Sequence, residues 1–390
     1  MFHLLRNADV YAPQQLGRVQ ILVSEGKIVW IGAEDLELPP ALSCGETDLG
    51  GRRTLPGLID LHAHITGGGG ECGPTTRVPP LSLTDFSTAG ISTVIGVLGT
   101  DGTTRNVASL LAAARSLDGE GLSAWCYTGS YQIPPITLTG DVRGDIVHID
   151  KIIGVGEIAI SDHRSSQPTL DELLRLASDA HVAGLMSGKA GILHLHVGDG
   201  ARGLAPIRSC LEQAEIPART YHPTHVNRHR GLFAEAIDLA KLGCTIDVTA
   251  FPADENTDQM SASEAWLAWH EAGAPADRLT ISSDGGGCMP RFDEQGQAVS
   301  MDVGQPQLLA ATMTELLNAG QSLEAVAPAF TTNPANLLRL ANKGRIGIGA
   351  DADLAVLDDS NRVTDLMIAG TWHVRDGKPM IFGTFESPTS

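Results

Sequence analysis

His62 and His64 stand two residues apart in the run TLPGLIDLHAHI, residues 54–65. Side chains at that spacing on a strand share a face, so both imidazoles can reach one ion. Other apolar runs also end on ligand-type residues: Glu157 in IIGVGEIAI, His196 in ILHLHVG, His225 in TYHPTHV and Asp284 in LTISSDG. A carboxylate buried in a strand costs on the order of several kcal/mol unless something positive meets it. With 13 histidines in the chain, one His-x-His pair can arise by chance. The His62–His64 pair with His196, His225, Glu157 and Asp284, each of these four on a separate strand end, predicts instead two divalent metal ions. Neutral imidazoles leave the ions much of their charge, so a bound water can lose a proton near neutrality. Glu157, the only acid late in its run, is expected to bridge two ions about 3.5 to 4 Å apart. Zinc is the expected metal, although the same N/O donors suit manganese and others.

Several histidines fall outside this set. His194 shares a face with His196 but lies one pleat deeper, which predicts a buried or supporting role, and His222 precedes its strand end similarly. His163 and His229 read as loop residues. Asp60 is expected to orient a histidine or to cap a turn.

These residues need a frame that gathers strand ends. The runs at 54–65, 91–99, 123–129, 152–160, 192–198, 220–226, 245–251 and 279–285 alternate with helical stretches such as LDELLRLASDAHVAGLMSG. That alternation marks parallel βα units, and eight of them predict an α/β (β/α)8 TIM-type barrel. An open doubly wound sheet is the alternative. Both chain ends read instead as short strands broken by Gly and Asp turns. The expected division is a small β-sandwich domain from 1–53 plus 345–390 and a catalytic barrel from 54–344. A net charge of −19 argues against nucleic-acid or anionic-membrane partners. Six scattered cysteines without a Cys-x-x-Cys pair, and no apolar run of spanning length, give a cytoplasmic expectation.

The LPGLIDLHAHI strand, the later His, His and Asp, and the ending GADADLAVLD resemble the amidohydrolase superfamily. Within it, HITGGGGECGPTTR, GVLGTDG, YTGSYQIP, ISDHRS, PTHVNR and SSDGGG resemble the isoaspartyl (β-aspartyl) dipeptidases over essentially the whole chain. The resemblance implies metal ligation by His62, His64, His196, His225 and Asp284, substrate contacts from Glu71, Thr100, Tyr131, Arg164 and Arg228, and a homo-oligomer. Two departures stand out. Glu157 occupies the place of a carboxylated lysine, and Lys151, roughly 20 Å away along an extended strand, is too far to replace it. Cys288 takes the place of a serine near the substrate carboxylate.

A β-aspartyl dipeptide offers an ammonium and an α-carboxylate beside the scissile amide. Glu71 can meet the ammonium, and Arg164 and Arg228 the carboxylate. The expected reaction is attack by a metal-activated hydroxide, with Asp284 as base and then acid and Tyr131 donating to the oxyanion. A cyclic-amide hydrolase or an aminopurine-type deaminase shares the metals without needing Glu71 and two arginines. A catalytically silent barrel used for binding is the third reading, and it is expected to lack ligands.

Overall fold

The computed structural model describes residues 2–39, 41–251, 258–292 and 298–387. Eight strands succeed one another as β1 (Leu58–Ala63), β2 (Ile91–Gly96), β3 (Ser123–Thr128), β4 (Ile152–Ile160), β5 (Ile192–Val197), β6 (Tyr221–Thr224), β7 (Ile246–Thr249) and β8 (Leu279–Ser282). The first six form one parallel sheet in chain order, and β7 pairs with β8 in parallel. Side chains link the two sheets on one side, where Asn227 donates to the Thr249 carbonyl at 2.9 Å and accepts from the Thr249 amide at 2.9 Å. On the other side the chain just past β8 lies against β1. There the Asp284 amide donates to the His62 carbonyl at 3.1 Å, and the His64 amide to the Gly285 carbonyl at 2.7 Å.

The strands are apolar and β-branched because both of their faces are covered. All nine residues of β4 are buried, so Glu157 has no route to bulk water along its own strand. Helices α1 (Leu83–Ser87), α2 (Val107–Gly119), α3 (Val142–His148), α4 (Leu170–Ser187), α5 (Ala205–Gln213), α6 (Arg230–Lys241), α7 (Ala262–Glu271) and α8 (Gln307–Asn318) alternate with them. In α4 the start is set by a capping box between Thr169 and Glu172, and the stop by Gly188 at φ 73°. Between these limits Leu173, Leu176, Ala177 and Ala180 recur at helical spacing and turn into the core.

Five N-terminal strands and four C-terminal ones make a nine-stranded mixed sheet with an apolar cluster of its own, including Leu5, Val10, Ile21, Leu354 and Val356. The run 54–65, expected as one strand, is two. Arg53–Pro56 joins the terminal sheet, antiparallel to Leu354–Leu357, and only β1 joins the parallel one. Gly57 stands at the break, where a Cβ would lie 2.4 Å from the Ser92 hydroxyl oxygen. The preceding strand, held in the terminal sheet, thus anchors β1 at its base, leaving its far end to carry the histidines.

Candidate metal centre

His62 closes the buried face of β1, and His64 follows just past the strand end, their rings 5.4 Å apart. Asp284, just beyond β8, brings Oδ1 to 3.5 Å from His62 Nε2 and 3.1 Å from His64 Nε2. Glu157 reaches in from β4, its Oε2 at 3.7 Å from His62 Nε2 and 3.5 Å from His225 Nε2, its Oε1 at 3.5 Å from His64 Nε2. The result is two overlapping donor groups, His62–His64–Asp284 and His62–Glu157–His225, each with its donor atoms within 4.8 Å of one another. His62 Nε2, Glu157 Oε1 and Asp284 Oδ1 are all buried without a hydrogen-bond partner. Each such orphan costs about 1–3 kcal/mol, more if charged, so three facing one another fit a set of cation ligands.

The backbone is bent to make this possible. His225 at φ 63° and Asp284 at φ 51° both take the left-handed conformation, which costs of order 1 kcal/mol or more for such residues and clusters at functional sites. Beside Glu157, a Cβ on Gly156 would stand 2.7 Å from His194 Cβ, so β4 can approach β5 here only with glycine.

The two carboxylates are driven apart in acidity. Burial, then repulsion from Asp284, raises the Glu157 carboxyl well above the usual range. Burial also acts against the charged form of Asp284, yet the His62 and His64 imidazoles hold it well below that range. Burial lowers His62, His196 and His225, with His196 pushed down to about 3. His62, His196 and His225 are thereby kept as neutral imidazoles beside one ionised carboxylate, a donor set suited to divalent cations.

His196 stands at the edge of this centre, in neither donor group. Its Nδ1 is 3.1 Å from Glu157 Oε2 and 2.8 Å from the Tyr131 hydroxyl, while its Nε2 lies 3.0 Å from Asp162 Oδ2. Sequence reasoning missed Asp162. Two residues past β4 it takes hydrogen bonds from Arg164 Nε at 3.0 Å and Nη2 at 2.8 Å, so one edge of the guanidinium expected to grip substrate is already engaged. An acid directly after a ligand-bearing strand was the available signal. Lys151, at the opposite end of β4, pairs with Asp118, far from the donors.

The remaining expected residues line one side of the centre. Thr100 donates to Glu71 Oε1 at 2.9 Å, and Arg164 Nη1 approaches the same oxygen at 3.7 Å. The second oxygen, Glu71 Oε2, is buried and unpartnered, as is Arg228 Nε, while Arg228 Nη1 is 3.8 Å from Asp199. Tyr131 is buried, and burial with the nearby Glu157 raises its phenol well above its ordinary value, keeping it a donor. Cys288 lies against the Gly68–Gly69 backbone, its thiol pushed up to about 11, mainly by burial. A second missed residue, Arg105, is buried beneath that glycine loop and donates to the Gly68 and Gly69 carbonyls.

Supporting roles are also clear. Asp60 accepts from the backbone amides of His62 at 3.3 Å and Ser283 at 3.1 Å, so it fixes the β1–β8 seam rather than an imidazole. His229 caps α6 through the Leu232 amide. His194 and His222 lie under the centre, as their deeper positions predicted.

Residues 54–373 match the Amidohydrolase family model. This chain belongs to the amidohydrolase family. Among solved structures, this amidohydrolase is similar to the β-aspartyl dipeptidase of Fervidobacterium islandicum AW-1 in complex with β-Asp-Leu, at 43% identity and TM-score 0.94 over 99% of both chains. The D-hydantoinase of a Thermus species shares the fold, at 16% identity and TM-score 0.68 over 99% of this chain and 98% of that one. A curated relative, the imidazolonepropionase of Ruegeria sp. (strain TM1040), is 25% identical over 377 residues, covering 91% of each chain.

Proposed function

We propose that this amidohydrolase cleaves the β-aspartyl peptide bond of dipeptides with the aid of two divalent metal ions, zinc being the expected pair. The observation that carries it is the unpartnered acceptor Glu71 Oε2 and unpartnered donor Arg228 Nε beside the orphaned donors of the centre. One acceptor and one cationic donor suit the ammonium and α-carboxylate of a β-aspartyl group. Likeness over the whole chain to a β-aspartyl dipeptidase supports the same substrate. A cyclic-amide hydrolase or aminopurine-type deaminase would use the same centre but leave that charged pair idle.

His62, His64, Glu157, His225 and Asp284 would hold the ions, with His196 completing the set by turning from Asp162. The chemistry such ions supply is Lewis-acid polarisation of an amide carbonyl and a lowered pKa for water. Asp284, whose carboxyl the His62 and His64 imidazoles hold well below its ordinary range, accepts the proton of the attacking water and delivers it to the leaving amine. Tyr131, held as phenol, donates to the carbonyl oxygen as it gains charge. Thr100 orients Glu71 on the ammonium, and Arg228 together with Arg164 takes the carboxylate. Cys288 sits where a weak thiol hydrogen bond can reach the same carboxylate.

The same reading treats β1–β8 as one closed (β/α)8 barrel over 54–344, with the terminal sheet a small β-sandwich domain of 1–53 plus 345–390. It includes a cytoplasmic homo-oligomer. Among the described residues no helix is long and apolar enough to cross a membrane. The test is parallel incubation of metal-loaded protein with β-Asp-Leu and α-Asp-Leu, following free leucine. Leucine from the β isomer alone is expected. Release from neither, with metal bound, would turn the assignment to the other amidohydrolase chemistries.

A further inference from the structure

Behind the metal donors a line of buried side chains leads away from His62. Its Nδ1 lies 2.7 Å from His194 Nε2, and His194 Nδ1 lies 2.8 Å from His222 Nδ1. His222 Nε2 is 3.3 Å from the Thr280 hydroxyl, which stands 2.8 Å from Asp247 Oδ1. His62, His194, His222, Thr280 and Asp247 are all fully buried. The rings of His194 and His222 stack at 4.9 Å, and Tyr127 stacks on the other side of His194 at 5.0 Å, so none can turn freely.

A neutral imidazole has one N–H and one lone pair, so each contact in such a line has a direction, and one direction sets all the others. The far end is fixed by Asp247, whose other oxygen accepts from Thr224 at 2.7 Å and Ser282 at 2.6 Å. Burial pushes the Asp247 carboxyl up to about 7, so above neutrality it is a carboxylate that only accepts. The Thr280 hydrogen then points to Asp247 or to the Ile246 carbonyl at 3.3 Å, in either case away from His222, and its oxygen accepts from His222 Nε2–H. His222 Nδ1 is then a lone pair that accepts from His194 Nδ1–H. His194 Nε2 in turn accepts from His62 Nδ1–H, which leaves a lone pair on His62 Nε2, the atom that faces Glu157 and Asp284.

We propose that His194, His222, Thr280 and Asp247 are positioning residues that fix the tautomer of His62 through one directed hydrogen-bond chain, presenting its Nε2 lone pair to the metal centre. The inference rests on the metal-centre reading above. It gives a role to β7, which carries no ligand, because Asp247 sets the proton order from the side opposite the metals. The reverse order would turn the Thr280 hydrogen away from Asp247 and put a proton on His62 Nε2, where it blocks ligation.

The first test needs no substitution. In full-length zinc-loaded protein labelled with 15N-histidine and held above pH 7, where Asp247 is ionised, long-range 1H–15N spectra should show His194 protonated at Nδ1 and His222 at Nε2. A proton on His194 Nε2 would overturn the chain. The second test measures zinc affinity by chelator competition. His194→Phe keeps a stacked ring but neither accepts nor donates, and should weaken zinc binding about 10–100-fold. His194→Gln, which can accept from His62 and donate to His222, should recover most of that loss. Wild-type affinity in His194→Phe, or no recovery in His194→Gln, would refute the role. Neither readout involves dipeptide hydrolysis, so zinc-bound protein with these tautomers that leaves β-Asp-Leu intact would sink the substrate assignment alone.

Discussion

The Arg105 guanidinium donates a 2.9 Å hydrogen bond to the carbonyl oxygen of Gly69, two residues before Glu71. A second donor reaches the Gly68 carbonyl at 2.7 Å, so a buried cation clamps the loop that presents the acceptor for the substrate ammonium. Hydrogen bonds from a charged group contribute about 1.5–3 kcal/mol each. Replacing Arg105 by Met should therefore raise KM for β-Asp-Leu about tenfold or more with a smaller change in kcat, and Arg105→Lys should recover part of it. An unchanged KM would show that the loop holds its shape without the clamp.

Asp284 is held well below the usual carboxylate range, and its Oδ1 lies 3.5 Å from His62 Nε2 and 3.1 Å from His64 Nε2. If it moves the proton, Asp284→Asn should lower kcat by about 10²–10⁴-fold, the usual worth of a general base. Metal analysis alongside the kinetics separates this from simple loss of a ligand. Near-wild-type turnover with metal bound would remove the proton-transfer role.

Glu157 touches His62, His64, His196 and His225, so one side chain joins both donor groups. Truncation in Glu157→Ala should empty at least one metal site, read as metal per chain by elemental analysis. Full occupancy in that variant would place the bridge elsewhere.

The sequence made legible what period and strand-end position determine. His62, Glu157, His225 and Asp284 could be placed because strand faces alternate and parallel units gather their C-terminal ends. The division of 54–65 was hidden, since it follows from the pairing of Thr54, Leu55 and Pro56 with Val356, Ala355 and Leu354 near the other end of the chain, which no local pattern records. Asp162, Arg105 and Asp247 were missed for a related reason. Their partners, His196, the glycine loop and Thr280, lie 33 to 37 residues away in sequence, and only the fold brings them together. His196 itself was recognised, but its contact with Asp162 depends on ring orientation, which the sequence does not carry.

His373, buried in the terminal sheet with Nδ1 unpartnered, should make stability depend on pH independently of the metals. Burial pulls it down to about 4 from 6.5, so between those values the unfolded chain binds a proton that the folded one refuses. Its contribution is complete above pH 6.5 and is lost as pH falls toward 4. Melting temperatures across that window should drop less steeply in His373→Gln than in wild type, and identical slopes would show that His373 titrates normally.

Arg228 offers the sharpest check on substrate choice. Its Nε is buried without a partner, and its only ion pair among the described residues is the 3.8 Å approach to the exposed Asp199. Such a donor is costly unless an anion meets it, and the α-carboxylate of a β-aspartyl group is the anion the site would receive. Arg228→Met keeps the length and the packing over Phe251 while removing the charge. Losing a charged hydrogen bond made to bound substrate should lower kcat/KM for β-Asp-Leu by about ten- to a hundredfold. A simple amide lacking the carboxylate should be hydrolysed as before, because its reaction never used that contact. Equal losses on both substrates would mean that Arg228 supports the fold of the site and does not read the aspartyl group.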